Sequence, residues 1–167
     1  MQTELSLYPM PDFEKKICDP AQLIQRISDL PRPLVFTNGC FDILHRGHVT
    51  YLAQARAQGA ALVVALNTDG SVRRLGKGDD RPVNSLLNRA AVMASLASVD
   101  MVTWFDADTP FELIELIKPE ILVKGGDWSV EAIVGSKETM ARGGVVHSIP
   151  FLFDTSTTKT LNKIRGK

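Results

Sequence analysis

The sequence has little that would suggest a secreted scaffold, a metal-binding module or a membrane protein. It has two cysteines, Cys18 and Cys40, and their neighbours do not supply Cys or His ligands at the spacings of structural zinc, so we expect reduced thiols. No apolar run approaches the roughly 20 residues of a membrane-spanning helix. The amino-terminal residues lack the basic start, apolar middle and cleavage site of a secretion signal, which favours a cytoplasmic location.

An excess of charge of either sign is also missing. The chain has 19 Lys and Arg residues and 19 Asp and Glu residues, so the formal charges cancel. It therefore has no basic field with which to bind a nucleic-acid duplex, and we expect neither nucleic acid nor a membrane as a partner. What remains is a chain of 167 residues of which 44% are hydrophobic, as is typical of one compact domain.

Continuous apolar strands alternate with amphipathic helices after an irregular arm at residues 1–18. Asp19 is expected to cap the first helix with Gln22 as its capping-box partner, and Thr109 and Glu112 predict a second capping box. Residues 70–84 are predicted to be a long polar loop. The pattern predicts an α/β fold with a parallel sheet covered on both faces, with strands at 34–38, 61–67, 101–105, within 120–128 and at 145–149, and helices at 20–29, 48–58, 85–97, 110–118, 136–142 and 156–165.

The densest chemical signal is TNGCFDILHRGH at residues 37–48, where the first strand gives way to a helix. Such a helix N-terminus presents unpaired N–H groups to an anion, and the spacing of His45 and His48 lets both rings face one side. Gly47 between them leaves room for a phosphate. The residues alone leave two other interpretations open: histidines with a structural role, and a zinc site that would need Asp42 or His147 as third ligand.

The string GCFDILHRGH at residues 39–48 resembles the G-x-F-D-x-x-H-x-G-H signature of the cytidylyltransferase-like nucleotidyltransferases, a Rossmann-like superfamily. Residues 67–84, 122–128 and 155–159 are similar to segments of the branch that adenylylates heptose 1-phosphate, and the similarity runs from about residue 33 to the C-terminus. The resemblance implies a Rossmann-like domain at 33–167, preceded by an arm and helix at 1–32. Its five-stranded parallel sheet would carry helices on both faces.

The resemblance also implies roles for individual residues. The catalytic group would be His45, His48, Lys77 and Thr157, with Arg74 and Arg81 as further cations near the phosphates. The nucleotide would contact Gly39, Cys40, Phe41, Gly47, Arg89, Gly125, Asp127, Ser156 and Thr158. The candidates for contacts to the sugar phosphate are Asp42, Asn67, Asp69 and Lys124. None of these residues is expected to form a protein metal site.

The implied reaction is transfer of AMP from ATP, with Mg²⁺, to D-glycero-β-D-manno-heptose 1-phosphate, for the inner core of lipopolysaccharide. Residues 151–154 read Phe-Leu-Phe-Asp where related cytidylyltransferases have R-T-x-G, a departure that the heptose branch shares. Two alternatives stay open: a CTP-dependent enzyme acting on glycerol 3-phosphate or a similar alcohol, and a non-catalytic nucleotide-binding domain. The expected partners are small substrates, a second copy in a homo-oligomer such as a dimer, and a separate heptose kinase in the pathway.

Overall fold

The computed structural model describes residues 8–76, 78 and 80–166. Its centre is a five-stranded sheet in the order β3-β2-β1-β4-β5, and every pair of neighbouring strands is parallel. The predicted α/β class is thereby confirmed. The strands are β1 (Leu34–Gly39), β2 (Ala61–Asn67), β3 (Met101–Phe105), β4 (Ile121–Gly125) and β5 (Val145–Ile149).

Helices cover both faces of the sheet because its strands are apolar on both sides. All seven residues of β2 are buried, which a strand with one solvated face would not allow. The helices are α1 (Leu23–Ile27), α2 (Arg46–Arg56), α3 (Asp69–Arg74), α4 (Leu86–Ala94), α5 (Phe111–Ile117), α6 (Ser136–Ala141) and α7 (Thr157–Ile164). Helices α1 and α5 contribute to one buried apolar cluster, whereas α2 and α4 contribute to the other.

The strand order indicates where along the sheet a ligand can bind. β1 pairs with β2 on one side and with β4 on the other, so the direction of winding reverses between β1 and β4. Parallel sheets bind ligands beyond the carboxyl ends of the strands at such a reversal. The segments after β1 and β4, which carry the motif residues, lie at this place.

Three local predictions are wrong. Helix α3 at residues 69–74 takes up the start of the stretch 70–84 that was predicted to be a loop, and the Thr68 side chain caps it by accepting from Ser71 N. Helix α5 has Pro110 as its N-cap without a side-chain cap bond, so Thr109 forms no capping box there. The helix predicted at 20–29 is shorter than expected, because residues 20–22 form a 3-10 turn before α1. Asp19 caps this turn as expected, accepting from Ala21 N at 2.8 Å.

The segment before α1 packs on the edge of the sheet. Residues 12–16 form a 3-10 turn, Ile17 bridges to Val102 of β3, and Cys18 N donates to the Val102 carbonyl at 2.8 Å. Cys18 is fully buried, and burial raises the pKa of its thiol. Across the described part of the chain, none of the helices combines the length and apolarity needed to span a bilayer.

Candidate active site

The two motif histidines lie at the start of α2, just beyond β1. His45 is the N-cap residue of the helix with extended backbone, and His48 follows in the first turn. Their rings stack with centroids 3.7 Å apart and an interplanar angle of 22°. Both imidazoles therefore flank the free N–H groups of the helix N-terminus, which carry a partial positive charge. This geometry suits an anion.

The start of α7 meets the start of α2. Thr155 Oγ1 lies 2.9 Å from His45 Nδ1, and Thr157 Oγ1 donates to the Ile43 carbonyl at 3.3 Å. Ser156 caps α7 by accepting from Lys159 N. Gly47 fits between the two segments, because a Cβ there would stand 3.1 Å from both His45 Nδ1 and Thr155 Oγ1. Two helix N-termini thus converge on one place.

Partial burial lowers the pKa of His45, since a charged imidazole is poorly hydrated there. The neutral ring has one donor and one acceptor nitrogen, and Nδ1 faces the Thr155 hydroxyl. A bound phosphate would supply the missing counter-charge. His45 can therefore take up a proton when an anion arrives, which couples anion binding to pH.

A cleft of about 530 Å³ opens over this convergence. Its size falls within the range usual for nucleotide-sized ligands. Its walls come from the ends of β1 and β4 and from the starts of α2 and α7. The described lining residues are Asn38, Gly39, Cys40, Phe41, Asp42, His45, His48, Tyr51, Arg81, Lys124, Gly125, Trp128, Phe151, Thr155, Ser156, Thr157 and Thr158.

Aromatic rings wall the part of the cleft beside β4. The Phe151 ring lies over Gly125, where a Cβ would stand 2.8 Å from it, and the ring meets Tyr51 edge-on at 5.7 Å. Trp128 follows the glycine pair, is half-exposed, and donates from Nε1 to the Gly125 carbonyl. These rings give this end of the cleft an aromatic lining, on which a nucleobase could stack.

A buried ion pair fixes the turn that leads into α2. Asp42 Oδ2 accepts from Arg81 Nε at 2.6 Å, and both side chains are at least 95% buried. The carboxylate also accepts from Val83 N and Asn84 N, both at 2.9 Å. Burial alone would raise the pKa of Asp42, but these N–H groups and Arg81 together hold the pKa below its ordinary value. The Asp42 carboxylate is thus bound by groups of the protein itself, although the residue lines the cleft.

Arg89 lies beneath the cleft rather than in it. Its guanidinium donates to the carbonyls of Cys40 and Asn67 at 2.7 and 2.8 Å and pairs with Asp69 at 2.7 Å. Its Nε donates to the Asn84 carbonyl. These bonds tie the ends of β1 and β2 to α3 and α4, so this buried arginine supports the backbone that leads into the site.

A second cleft of about 400 Å³ lies on the other face of the same sheet edge. Asn38, Gly39, Cys40, Lys124 and Trp128 line both clefts. The second cleft adds Asn67 and Thr109 and a wall of apolar residues, and Asp108 and Leu75 stand at its margin. Lys124 Nζ donates to Asn38 Oδ1 at 3.4 Å, so one cation lies where the two clefts meet.

The structure brings most predicted site residues to these clefts. Four of the predicted nucleotide and sugar contacts are not among the described residues that line either cleft: Gly47, Asp69, Arg89 and Asp127. Gly47 lies between His45 and Thr155, Asp69 pairs with Arg89, and Asp127 is exposed. Arg74, predicted as a phosphate cation, pairs instead with Asp106 and Asp108. Lys77 lies outside the described residues.

Several lining residues were missed in the sequence. Tyr51 stands three residues after His48 and therefore on the same helical face, a signal that the sequence does contain. Its hydroxyl, buried against Thr37 and the Val123 carbonyl, has a raised pKa caused mainly by desolvation. Phe151 gives no comparable signal, because what brings it to the cleft is the pairing of distant strands.

The family model described as cytidylyltransferase-like matches residues 36–165. Among curated proteins, the D-β-D-heptose 1-phosphate adenylyltransferase of Bordetella bronchiseptica is 56% identical over 155 residues, which cover 92% of this chain and 96% of that protein. The bifunctional protein HldE of Pseudomonas aeruginosa PAO1 is 50% identical over 92% of this chain. The chain spans 33% of the length of that longer relative.

Solved structures show the same fold. A lipopolysaccharide core biosynthesis protein from Thermoplasma volcanium superposes with a TM-score of 0.58 at 30% identity, covering 71% of this chain and 94% of that one. Pantothenate synthetase from Thermus thermophilus superposes with a TM-score of 0.57 at 14% identity, covering 81% of this chain and 61% of that one. At that identity, the second likeness concerns the fold alone.

Proposed function

Since the matching model spans most of its length, the chain belongs to the cytidylyltransferase-like family, and we propose that it transfers AMP from ATP to D-glycero-β-D-manno-heptose 1-phosphate. The products are ADP-heptose and pyrophosphate. The acceptor follows from the 56% identity to the Bordetella heptose 1-phosphate adenylyltransferase, which this chain matches over nearly its whole length. The product would serve lipopolysaccharide inner-core synthesis, and a separate kinase would supply the heptose 1-phosphate.

The observation that carries the proposal is the convergence of the stacked His45 and His48 rings with the N-terminus of α7. Polyphosphate bound there would meet two imidazoles, the hydroxyls of Ser156, Thr157 and Thr158, and the free N–H groups of two helices. Adenine would lie toward Gly125, between Phe151 and Trp128. By resemblance, Lys77 would add a cation to the phosphates.

The reaction needs stabilisation of a leaving group more than it needs a base. An oxygen of the sugar phosphate attacks the α-phosphorus of ATP, and the bond from that phosphorus to the bridging oxygen of the β-phosphate breaks. The electron pair leaves with pyrophosphate, on which charge grows in the transition state. The attacking phosphate is already anionic near neutral pH, because its second pKa is about 6. His45 and His48 would offset the departing charge, and the Thr157 hydroxyl would donate to it after turning away from the Ile43 carbonyl.

The acceptor would bind in the second cleft, on the side of the α-phosphorus opposite the leaving pyrophosphate. In-line displacement puts the attacking and leaving oxygens on opposite sides of phosphorus. With pyrophosphate held by the histidines in the first cleft, the attacking phosphate comes from the side of Lys124 and Asn38, which line both clefts. Lys124 would hold the two phosphates together at the junction. Asn67 and Thr109 would contact the sugar, whereas Asp42 and Asp69 are engaged in ion pairs.

We also propose that Mg²⁺ arrives with ATP. Mg²⁺ usually keeps several waters and binds substrate phosphates with one or two carboxylates. Within residues 8–76, 78 and 80–166, no group of three or more His, Cys, Asp or Glu side chains could hold a metal ion. The phosphates would therefore be its main ligands, and when bound it would reduce the charge on the leaving pyrophosphate.

Pyrophosphate release tests the proposal, measured with ATP, CTP, GTP and UTP against heptose 1-phosphate, hexose 1-phosphates and glycerol 3-phosphate. We expect the fastest release with ATP, Mg²⁺ and the heptose 1-phosphate, and much slower release with every other pair. Release with CTP and glycerol 3-phosphate but none with ATP and the heptose would overturn the proposal. Binding of ATP without release against any acceptor would identify a nucleotide-binding module instead.

A further inference from the structure

An arginine clamp fixes the outer margin of the second cleft. Arg74 of α3 donates from Nε to Asp108 Oδ1 at 2.8 Å, and its Nη2 contacts the Asp106 carbonyl. Ser71 Oγ donates to the Ala107 carbonyl at 3.0 Å, and Thr68 Oγ1 donates to Asp106. These contacts join both ends of α3 to the segment between β3 and α5, so Asp108 is held beside the cleft.

The clamp contributes little to stability. The side chains of Arg74, Asp106 and Asp108 are 46%, 69% and 76% exposed, and ion pairs this exposed are worth little in water. Its clearer effect is to hold the Asp108 carboxylate in one orientation. A carboxylate offers about four lone-pair positions, and the Arg74 Nε bond uses one of them. Asp108 can therefore accept hydrogen bonds from a ligand in the cleft.

The second cleft has a positive charge at one end and a negative charge at the other. Lys124 lines both clefts and so lies where they join, whereas Asp108 lines the second cleft alone and its 76% exposed side chain lies toward solvent. A sugar 1-phosphate has the matching polarity, with a dianion at one end and neutral hydroxyls at the other. Its phosphate would be attracted to Lys124 and repelled by Asp108, so the hydroxylated tail would lie toward Asp108 and Thr109.

We propose that Asp108 determines specificity for the hydroxylated tail of the acceptor, with Arg74 as the positioning residue that orients its carboxylate. The inference rests on the proposed transfer to a heptose 1-phosphate. A site that hydrogen-bonds a substrate hydroxyl discriminates strongly against an analogue that lacks it, because its polar groups are then left unpaired. Asp108 would thus distinguish a heptose from a hexose, which has one carbinol fewer at the tail.

The test is steady-state kinetics with heptose 1-phosphate and with the corresponding hexose 1-phosphate. Asp108→Ala should raise the KM for the heptose by about tenfold, the loss of a hydrogen bond to a charged group. Its kcat and its KM for ATP should stay within about twofold of wild type, because the phosphates lie elsewhere. Arg74→Gln should give a smaller rise. Asp106→Asn is the matched control, since Asp106 touches Arg74 but does not line the cleft, and it should change nothing.

The decisive quantity is the preference for heptose 1-phosphate over hexose 1-phosphate, given by the ratio of the two kcat/KM values. The inference requires that the preference for heptose over hexose fall in Asp108→Ala and remain in Asp106→Asn. It is overturned if Asp108→Ala keeps the wild-type preference, or if both variants lose it equally. A failure of the proposed function looks different, because wild-type protein would then release no pyrophosphate with ATP and heptose 1-phosphate.

Discussion

His45 and His48 share a stack but differ in their surroundings. His45 caps α2 and faces the Thr155 hydroxyl, whereas His48 lies between the rings of Phe41 and Phe151, with centroids at 5.1 and 6.4 Å. The rings of His45, Phe41 and Phe151 therefore help to fix the plane of the His48 imidazole. A ring positioned in this way suits a group that acts when charge develops on the leaving pyrophosphate.

His48→Ala should lower kcat by about a hundredfold or more while changing the KM for ATP much less. A group that acts mainly in the transition state affects turnover more than binding. Steady-state kinetics measures the split, and thermal unfolding checks that the variant is folded. His147→Ala is the control, because His147 is on β5 and lines neither cleft. Wild-type turnover in His48→Ala would contradict the proposed role.

Binding of ATP should be accompanied by proton uptake at His45. Burial lowers the pKa of this imidazole in the free protein, and a nearby polyphosphate raises it, so the ring gains a proton when ATP binds at a pH close to the ordinary imidazole pKa. Titration calorimetry in buffers of different ionisation enthalpy measures the uptake, which His45→Gln should reduce. Equal uptake by wild type and His45→Gln would assign the proton to another group.

At the scale of elements, the Asp42–Arg81 pair joins the turn after β1 to the segment before α4. Asp42→Ala leaves the buried Arg81 guanidinium without its carboxylate, so we expect the free energy of unfolding to fall by about 3 kcal/mol. Urea unfolding at neutral pH measures this change. Asp106→Ala, whose carboxylate is 69% exposed, should cost less than about 1 kcal/mol. Equal losses in the two variants would show that the buried pair does not stabilise the turn.

The Asp42–Arg81 pair also predicts how the free energy of unfolding changes with pH. The pKa of Asp42 is lower in the folded protein than in the unfolded chain, so its stabilisation is complete well above the unfolded value near 4. It is lost as the pH falls through the folded pKa. The difference between wild type and Asp42→Ala should therefore narrow below about pH 4. A difference that widens on acidification would contradict this sign.

The elements differ in how well the sequence predicts them. Strand β2 was predicted with its observed bounds, because a fully buried parallel strand is a continuous apolar run. Helix α3 was missed because DGSVRR is short and has Val72 as its one large apolar residue. The Asp42–Arg81 pair spans 39 positions, and no local pattern predicts that the chain brings the two together.

At the scale of the whole molecule, the strand order explains why one sheet edge can receive two substrates. The reversal between β1 and β4 opens clefts on both faces, and Asn38, Gly39, Cys40 and Lys124 line both of them. The motif at residues 39–48 predicted the first cleft. The second could not be predicted, since β2, the segment before α5 and the segment after β4 contribute to it from distant parts of the chain.

The central claim is direct in-line transfer from ATP to an acceptor in the second cleft. The stereochemistry at the α-phosphorus tests it, with the Sp isomer of adenosine 5′-O-(1-thiotriphosphate) as donor and heptose 1-phosphate as acceptor. One in-line displacement predicts inversion of configuration in the thio-substituted ADP-heptose, as determined by phosphorus NMR. Retention would contradict the account, because it requires two displacements and hence a covalent adenylyl intermediate on a protein nucleophile such as His45 or His48.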